Sequence, residues 1–139
     1  MEKMKRPTWD EYFMEMAELT AKRSTCMRRS VGAVIVKDKR AIATGYNGAA
    51  RGDVNCIDTG VCHRCGHGHN DGDYGTCPAV HAEMNAMLSA SRSEMIGATL
   101  YLAGVDLETG ERIPPNEISP CPVCMRMIGN AGVDVVTGA

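Results

Sequence analysis

Apolar positions recur along the chain with two periods, and the switches between them predict its elements. Trp9, Phe13, Met16, Ala17 and Thr20 recur at helical spacing. Thr8 and Glu11 stand just there as an N-cap and its reciprocal partner, which predicts a helix over 9–23. Val31-Gly32-Ala33-Val34-Ile35-Val36 is a short β-branched run, 37–40 is polar, and 41–46 can return as a second strand, so an antiparallel hairpin is expected. From 47 to 78 periodicity disappears into Gly, Asp, Cys and His. A structureless stretch of that length is uncommon in a compact domain unless something pins it. A helix over 81–92 follows, with Met84, Met87 and Leu88 on one face, then a strand over 98–103. The segment 104–119 is polar, with a turn expected at Glu108-Thr109-Gly110. A helix over 120–130 and a strand over 133–136 complete the pattern. Strands alternating with helices predict a layered α/β domain.

Composition narrows this picture. At 139 residues and 44% hydrophobic, the chain suits one compact domain, 1–139, with a real core. No apolar run approaches the roughly 18–20 residues that cross a membrane, and the first residues lack an apolar signal-peptide core. A cytoplasmic protein is expected. The net charge of −2 gives no global basic field, which argues against a nucleic-acid partner. A small phosphorylated ligand needs only a few local cations. Seven cysteines is a high count. In a reducing compartment metal ligation accounts for most of them better than disulfides do.

The chemistry concentrates in His81-Ala82-Glu83 and Pro120-Cys121-Pro122-Val123-Cys124. Structural zinc is usually closed by four protein ligands, whereas catalytic zinc keeps one position for water. His81, Cys121 and Cys124 supply three ligands, and Glu83 remains as a carboxylate that need not ligate. Two thiolates at a helix start can reach one ion, and amide dipoles there favour the thiolate form. Glu83, two residues past His81, would project beside the ion and relay protons. Resemblance to the zinc nucleobase deaminases would make the reaction a hydrolytic deamination of an amino-substituted heterocycle. A lone His-x-Glu or a lone Cys-x-x-Cys says little, but the two in order, each opening a predicted helix, are specific. This order is the signature of the zinc nucleobase deaminases.

With Arg23-Ser24-Thr25-Cys26, Thr44-Gly45-Tyr46-Asn47-Gly48, His81-Ala82-Glu83-Met84-Asn85-Ala86 and Ser119-Pro120-Cys121-Pro122-Val123-Cys124 in place, the chain resembles the deoxycytidylate deaminases of the cytidine deaminase superfamily. The resemblance implies a three-layer α-β-α fold with a central mixed sheet of four to five strands and helices on both faces. It implies a homo-oligomer, a hexamer being favoured, that converts dCMP to dUMP and ammonia for thymidylate synthesis. It also implies activation by dCTP and inhibition by dTTP. Asn47 is carried over as a nucleotide contact, and Ser24, Arg28 and Arg29 stand where a phosphate could be met.

The resemblance further implies a second, structural zinc held in part by Cys26 and Cys56. Position 79, where one relative has a carboxylate ligand, is Ala79 and cannot ligate. Cys77 is the best local replacement and Cys62 or Cys65 a fourth ligand, with His67 or His69 also chemically suitable. Such a zinc would pin the segment 47–78.

Two departures stand out. The segment 104–118 is longer than the family pattern, and reads as a hairpin over the active site, an oligomer contact or a tolerated surface loop. The chain also ends soon after its last strand, so the pocket wall and the oligomer are the parts the resemblance leaves open. The alternatives are a deaminase of cytidine, of a modified dCMP or of a tRNA adenosine, and a non-catalytic zinc-binding module. Glu83 argues against the module, because a purely structural site has no use for it.

Overall fold

The computed structural model describes residues 5–26, 29–60, 79–114 and 117–137. Helix α1 (Trp9–Ala21) opens on the expected capping box: the Glu11 N–H donates to the Thr8 hydroxyl at 3.1 Å, and the Thr8 N–H donates to the Glu11 carboxylate at 3.0 Å. Strands β1 (Arg29–Lys37) and β2 (Arg40–Tyr46) form the expected antiparallel hairpin. Asp38 and Lys39 both take positive φ, 52° and 60°, the handedness a two-residue turn needs to follow the strand twist.

The segment that lacked periodicity contains short β3 (Gly48–Ala49) and α2 (Cys56–Thr59), and β3 pairs with β4 (Ala79–Val80). These elements are too short to leave a periodic trace. Then come α3 (Ala82–Leu88), α4 (Arg92–Met95), β5 (Thr99–Asp106), α5 (Pro122–Ala131) and β6 (Asp134–Val136). The single helix expected over 81–92 is therefore two helices. Ser91 caps α4 in a capping box with Glu94, and a second N-cap cannot lie inside a continuous helix.

The main sheet runs β2-β1-β5-β6, with β5 and β6 parallel and the other pairs antiparallel. It is mixed, as expected, and has four strands. Alternate residues of β1 and β5 face opposite ways. Val34, Val36, Tyr101 and Ala103 pack under α1 with Phe13, Met14 and Ala17. Ala33, Ile35, Leu100 and Leu102 face α3 and α5, against Ala82, Ala86, Met87, Cys124 and Ile128. The result is three layers, α-β-α. No described helix is long and apolar enough to cross a membrane.

Two stripes differ from expectation. On α1 the buried residues are Phe13, Met14, Ala17 and Ala21, while Trp9 is half exposed and lies under the Lys39 ammonium at 5.4 Å. Ala17 and Ala21 sit over Gly32, so the second half of the helix turns small residues inward where its backbone meets the sheet. On α3 the buried face is Ala82, Glu83, Ala86 and Met87, and Leu88 is exposed. Close approach to the sheet selects alanine there over bulk.

Tyr101 ties α1 to the sheet by donating its hydroxyl hydrogen to Asp10. Burial, and then Asp10, pushes its phenol up to about 12. A raised folded value means stability that is present below the unfolded value near 10 and lost as pH rises from there through about 12. Tyr101→Phe should cost about 1 kcal/mol at neutral pH and melt with a shallower decline than the wild type over that alkaline window. Parallel declines in the two proteins would show that Tyr101 does not carry the effect.

Candidate metal centre

The site lies where the first turns of α3 and α5 meet. His81 is the N-cap of α3, with extended backbone at φ −70° and ψ 153°, and its carbonyl accepts from the Asn85 N–H at 3.0 Å. Cys121 is the N-cap of α5, with φ −66° and ψ 165°, and Pro122 follows as the first helical residue. Cys124, one turn on, is fully buried. A ligand at a cap is held by backbone that is already fixed, which explains why short local spacings suffice to build this cluster.

His81 Nδ1 stands 3.2 Å from Cys124 Sγ and 3.5 Å from Cys121 Sγ. The three ligand atoms all lie within 4.8 Å of one another. A tetrahedral zinc with bonds of about 2.3 Å to sulfur and about 2.05 Å to nitrogen spaces N and S by about 3.6 Å, so the cluster fits that ion. The α5 amide supports the arrangement: the Cys124 N–H donates to Cys121 Sγ at 3.5 Å.

Glu83 is buried at 5% exposure and its carboxyl contacts the Cys124 thiol. Burial raises the Glu83 carboxyl, against the lowering effect of hydrogen bonds from its own backbone N–H and from Cys124. Burial also pushes the Cys124 thiol up, and the neighbouring Glu83 and Cys121 charges add to it. Three groups whose anions repel one another in a dry pocket form a site that a divalent cation relieves.

Two further contacts hold α3 in place. The Asn85 side-chain N–H donates to the Tyr46 carbonyl at 2.8 Å. Gly45 underlies the helix so closely that a Cβ there would stand 2.4 Å from Ala82 O and 2.3 Å from Ala86 N. Sequence reasoning gave neither residue this role. The pair Ala82 and Ala86, four apart and next to the ligand His81, was the available signal of close approach.

The expected nucleotide contacts form one hydrogen-bonded lattice. Asn47 Oδ1 accepts from the Val31 N–H at 2.8 Å, and its Nδ2 donates to the Arg29 carbonyl at 2.9 Å. The Ser24 hydroxyl donates to the Asn47 carbonyl at 2.9 Å and accepts from the Cys26 N–H at 3.1 Å. Asn47 thus braces the start of β1, with one lone pair and one N–H of its carboxamide left over. Arg28 lies outside the described residues.

The same lattice brings the expected structural cysteines towards each other. The Ile57 N–H donates to the Thr25 carbonyl at 3.2 Å, so Cys26 and Cys56 flank a single hydrogen bond. Cys62, Cys65 and Cys77, with His63, His67 and His69, lie outside the described residues.

The fold and the donor set define a class, an α-β-α metallo-domain with a His-Cys-Cys cluster at two helix starts and a buried carboxylate beside it. The chain belongs to the cytidine and deoxycytidylate deaminase zinc-binding family, whose model matches residues 7–139. It is 42% identical over 139 residues to a deoxycytidylate deaminase of Mycobacterium phage D29, covering 96% of this chain and 95% of the relative. It is 45% identical over 134 residues to a deoxycytidylate deaminase of Schizosaccharomyces pombe, covering 94% of this chain and 37% of that longer relative. The crystal structure of the dCMP deaminase of cyanophage S-TIM5 in complex with dCMP and dUMP superposes with a TM-score of 0.64 at 29% identity, over 95% of this chain and 82% of that one. The chain therefore spans nearly all of the mycobacteriophage relative, about four fifths of the cyanophage one and less than two fifths of the fission-yeast one.

Proposed function

We propose that the chain is a zinc-dependent deoxycytidylate deaminase that hydrolyses dCMP to dUMP and ammonia. The observation that carries this reading is the buried Glu83 carboxyl against a His81, Cys121 and Cys124 donor triangle of zinc dimensions. His81, Cys121 and Cys124 would hold the ion. A zinc bound there supplies a Lewis acid that brings the pKa of water towards neutrality.

Glu83 then does the proton work. It takes one proton from the attacking water and hands it to the ring nitrogen. As the C4–O bond forms and the C4–N bond breaks, it carries the second proton from oxygen to the leaving amine, which departs as ammonia. A carboxyl raised by burial suits both halves of that relay, because it holds a proton more readily than an ordinary carboxylate does and can still release it.

Asn47, Ser24, Arg28 and Arg29 are assigned to the nucleotide and its phosphate. Cys26, Cys56, Cys62 and Cys77 are assigned to a second, structural zinc, a reading supported by the hydrogen bond that brings the first two segments together. Cytoplasmic supply of dUMP for thymidylate synthesis, dCTP and dTTP as opposing effectors, a hexamer, and one domain across the chain complete the proposal.

A panel of dCMP, dCTP, deoxycytidine and a tRNA stem-loop, followed by ammonia release with and without dCTP and dTTP, tests the substrate. Turnover should be confined to dCMP. Equal rates on deoxycytidine and dCMP would overturn the monophosphate assignment. Metal analysis of the same protein should give two zinc ions per chain, and one ion with titratable remaining thiols would remove the second site.

A further inference from the structure

Residues 104–113, at the end of β5 and just beyond it, form a hairpin with its own seat in the core. The Asp106 N–H donates to the Glu111 carbonyl at 2.9 Å, Val105 bridges to Arg112, and the Ile113 N–H donates to the Gly104 carbonyl at 2.8 Å. This returning strand covers β5 at Gly104–Asp106, beyond the Thr99–Tyr101 stretch that β6 pairs. Alternate residues again face opposite ways. Arg112 forms an ion pair with Glu18 of α1, and Ile113 turns to the other face, into the cluster that holds Cys121 and Cys124.

Gly104 is the seat. A Cβ there would stand 2.6 Å from Ile118 Cδ1 and 3.0 Å from Ile113 Cδ1, so two isoleucine methyls occupy the space its missing side chain leaves. Ile118 is 2% exposed and Ile113 5%. Ile118 lies three residues ahead of Cys121, with Pro120 buried between them. Wherever Ile118 is anchored, the chain must enter α5 from there, with Cys121 as the cap and Cys124 one turn on. A surface loop of the same length would not anchor that entry.

We propose that Ile118, seated with Ile113 on Gly104, is a positioning residue for the metal-ligand pair Cys121 and Cys124. The proposal rests on the reading of His81, Cys121 and Cys124 as the metal site and extends it to the segment that the family pattern does not explain. Loosening the seat lets the α5 entry shift, and the two thiols then no longer meet His81 at ligand distance together.

The test uses the full chain loaded with cobalt(II), whose visible spectrum reports thiolate ligation and tetrahedral geometry. Ile118→Val removes one methylene from the seat, and Ile118→Ala removes more if the first folds too well to show an effect. Val36→Ala, in the core on the opposite face of the sheet, is the matched control. Ile118→Val should release cobalt to a chelator about tenfold faster than the wild type, equivalent to about 1.4 kcal/mol. Its absorption bands should shift as well. The control should keep the wild-type release rate and spectrum at an equal or larger loss of Tm. Equal release from both variants at equal Tm loss would reduce Ile118 to an ordinary core residue and overturn the proposal. A wild-type protein that takes up no cobalt would instead overturn the metal-site reading beneath it, and the two failures are distinguishable.

Discussion

Glu83→Gln is expected to lower kcat by about 10²–10⁴-fold while the protein keeps its zinc. The substitution keeps shape and volume, so a 5% exposed position stays filled. It removes only the ability to take a proton. His81 and the two cysteines are untouched, and they alone form the donor triangle. Zinc content should therefore match the wild type, and the melting temperature should not fall by more than a few degrees. The carboxyl contacts the Cys124 thiol and lies outside the cluster of three ligand atoms, as a proton relay beside the ion would. If the variant loses its zinc, Glu83 is a ligand and the relay has been misread. Undiminished turnover with zinc retained would remove the proton-relay role altogether.

The clustering of His81, Cys121 and Cys124 was legible in the sequence because it follows from local spacing. A His or Cys at an N-cap, and a second Cys one turn later, need only the start of a helix to come to hand. The hairpin of β1 and β2 and the capping box at Thr8 and Glu11 were legible for the same reason. Other features depend on what lies across the fold. The identity of the inward face of α1 is set by Gly32, which no periodicity within 9–21 contains. The Asn47 side chain also hydrogen-bonds the β1 backbone 16 and 18 residues away, a bracing role that its own segment does not announce. The segment 104–118 is polar in sequence and left a hairpin, an oligomer contact and a surface loop all open; its two isoleucines acquire meaning only with Gly104 beneath them. Each of these is a contact between elements, where composition is silent about the partner.

Gly45→Ala carries the other large expectation, and it separates backbone approach from mere glycine chemistry. Gly45 lies in β2 opposite Ala33, with no need of a positive φ. What it provides is room: an added Cβ would stand 2.3 Å from Ala86 N, 2.4 Å from Ala82 O and 2.9 Å from the Asn85 carbonyl carbon. All three are backbone atoms of α3, so no side chain can swing aside. The helix itself must lift, which strains the Asn85 bond to the Tyr46 carbonyl and moves His81 and Glu83 away from Cys121 and Cys124. Overpacking of this kind costs about 1–3 kcal/mol. A shift of about 1 Å at a reacting group can cost about a hundredfold in rate, so kcat/KM should fall by at least that much. Gly129→Ala is the contrasting substitution. Gly129 sits on the exposed side of α5 with nothing within 4 Å of an added Cβ. There the same change should stabilise the protein by about 0.5–1 kcal/mol and leave turnover alone. Thermal melts and kcat/KM on both variants decide the matter. A Gly45→Ala protein with wild-type melting and turnover would mean that α3 is not held by its approach to β2, and that the geometry of the His81 and Glu83 pair has another source.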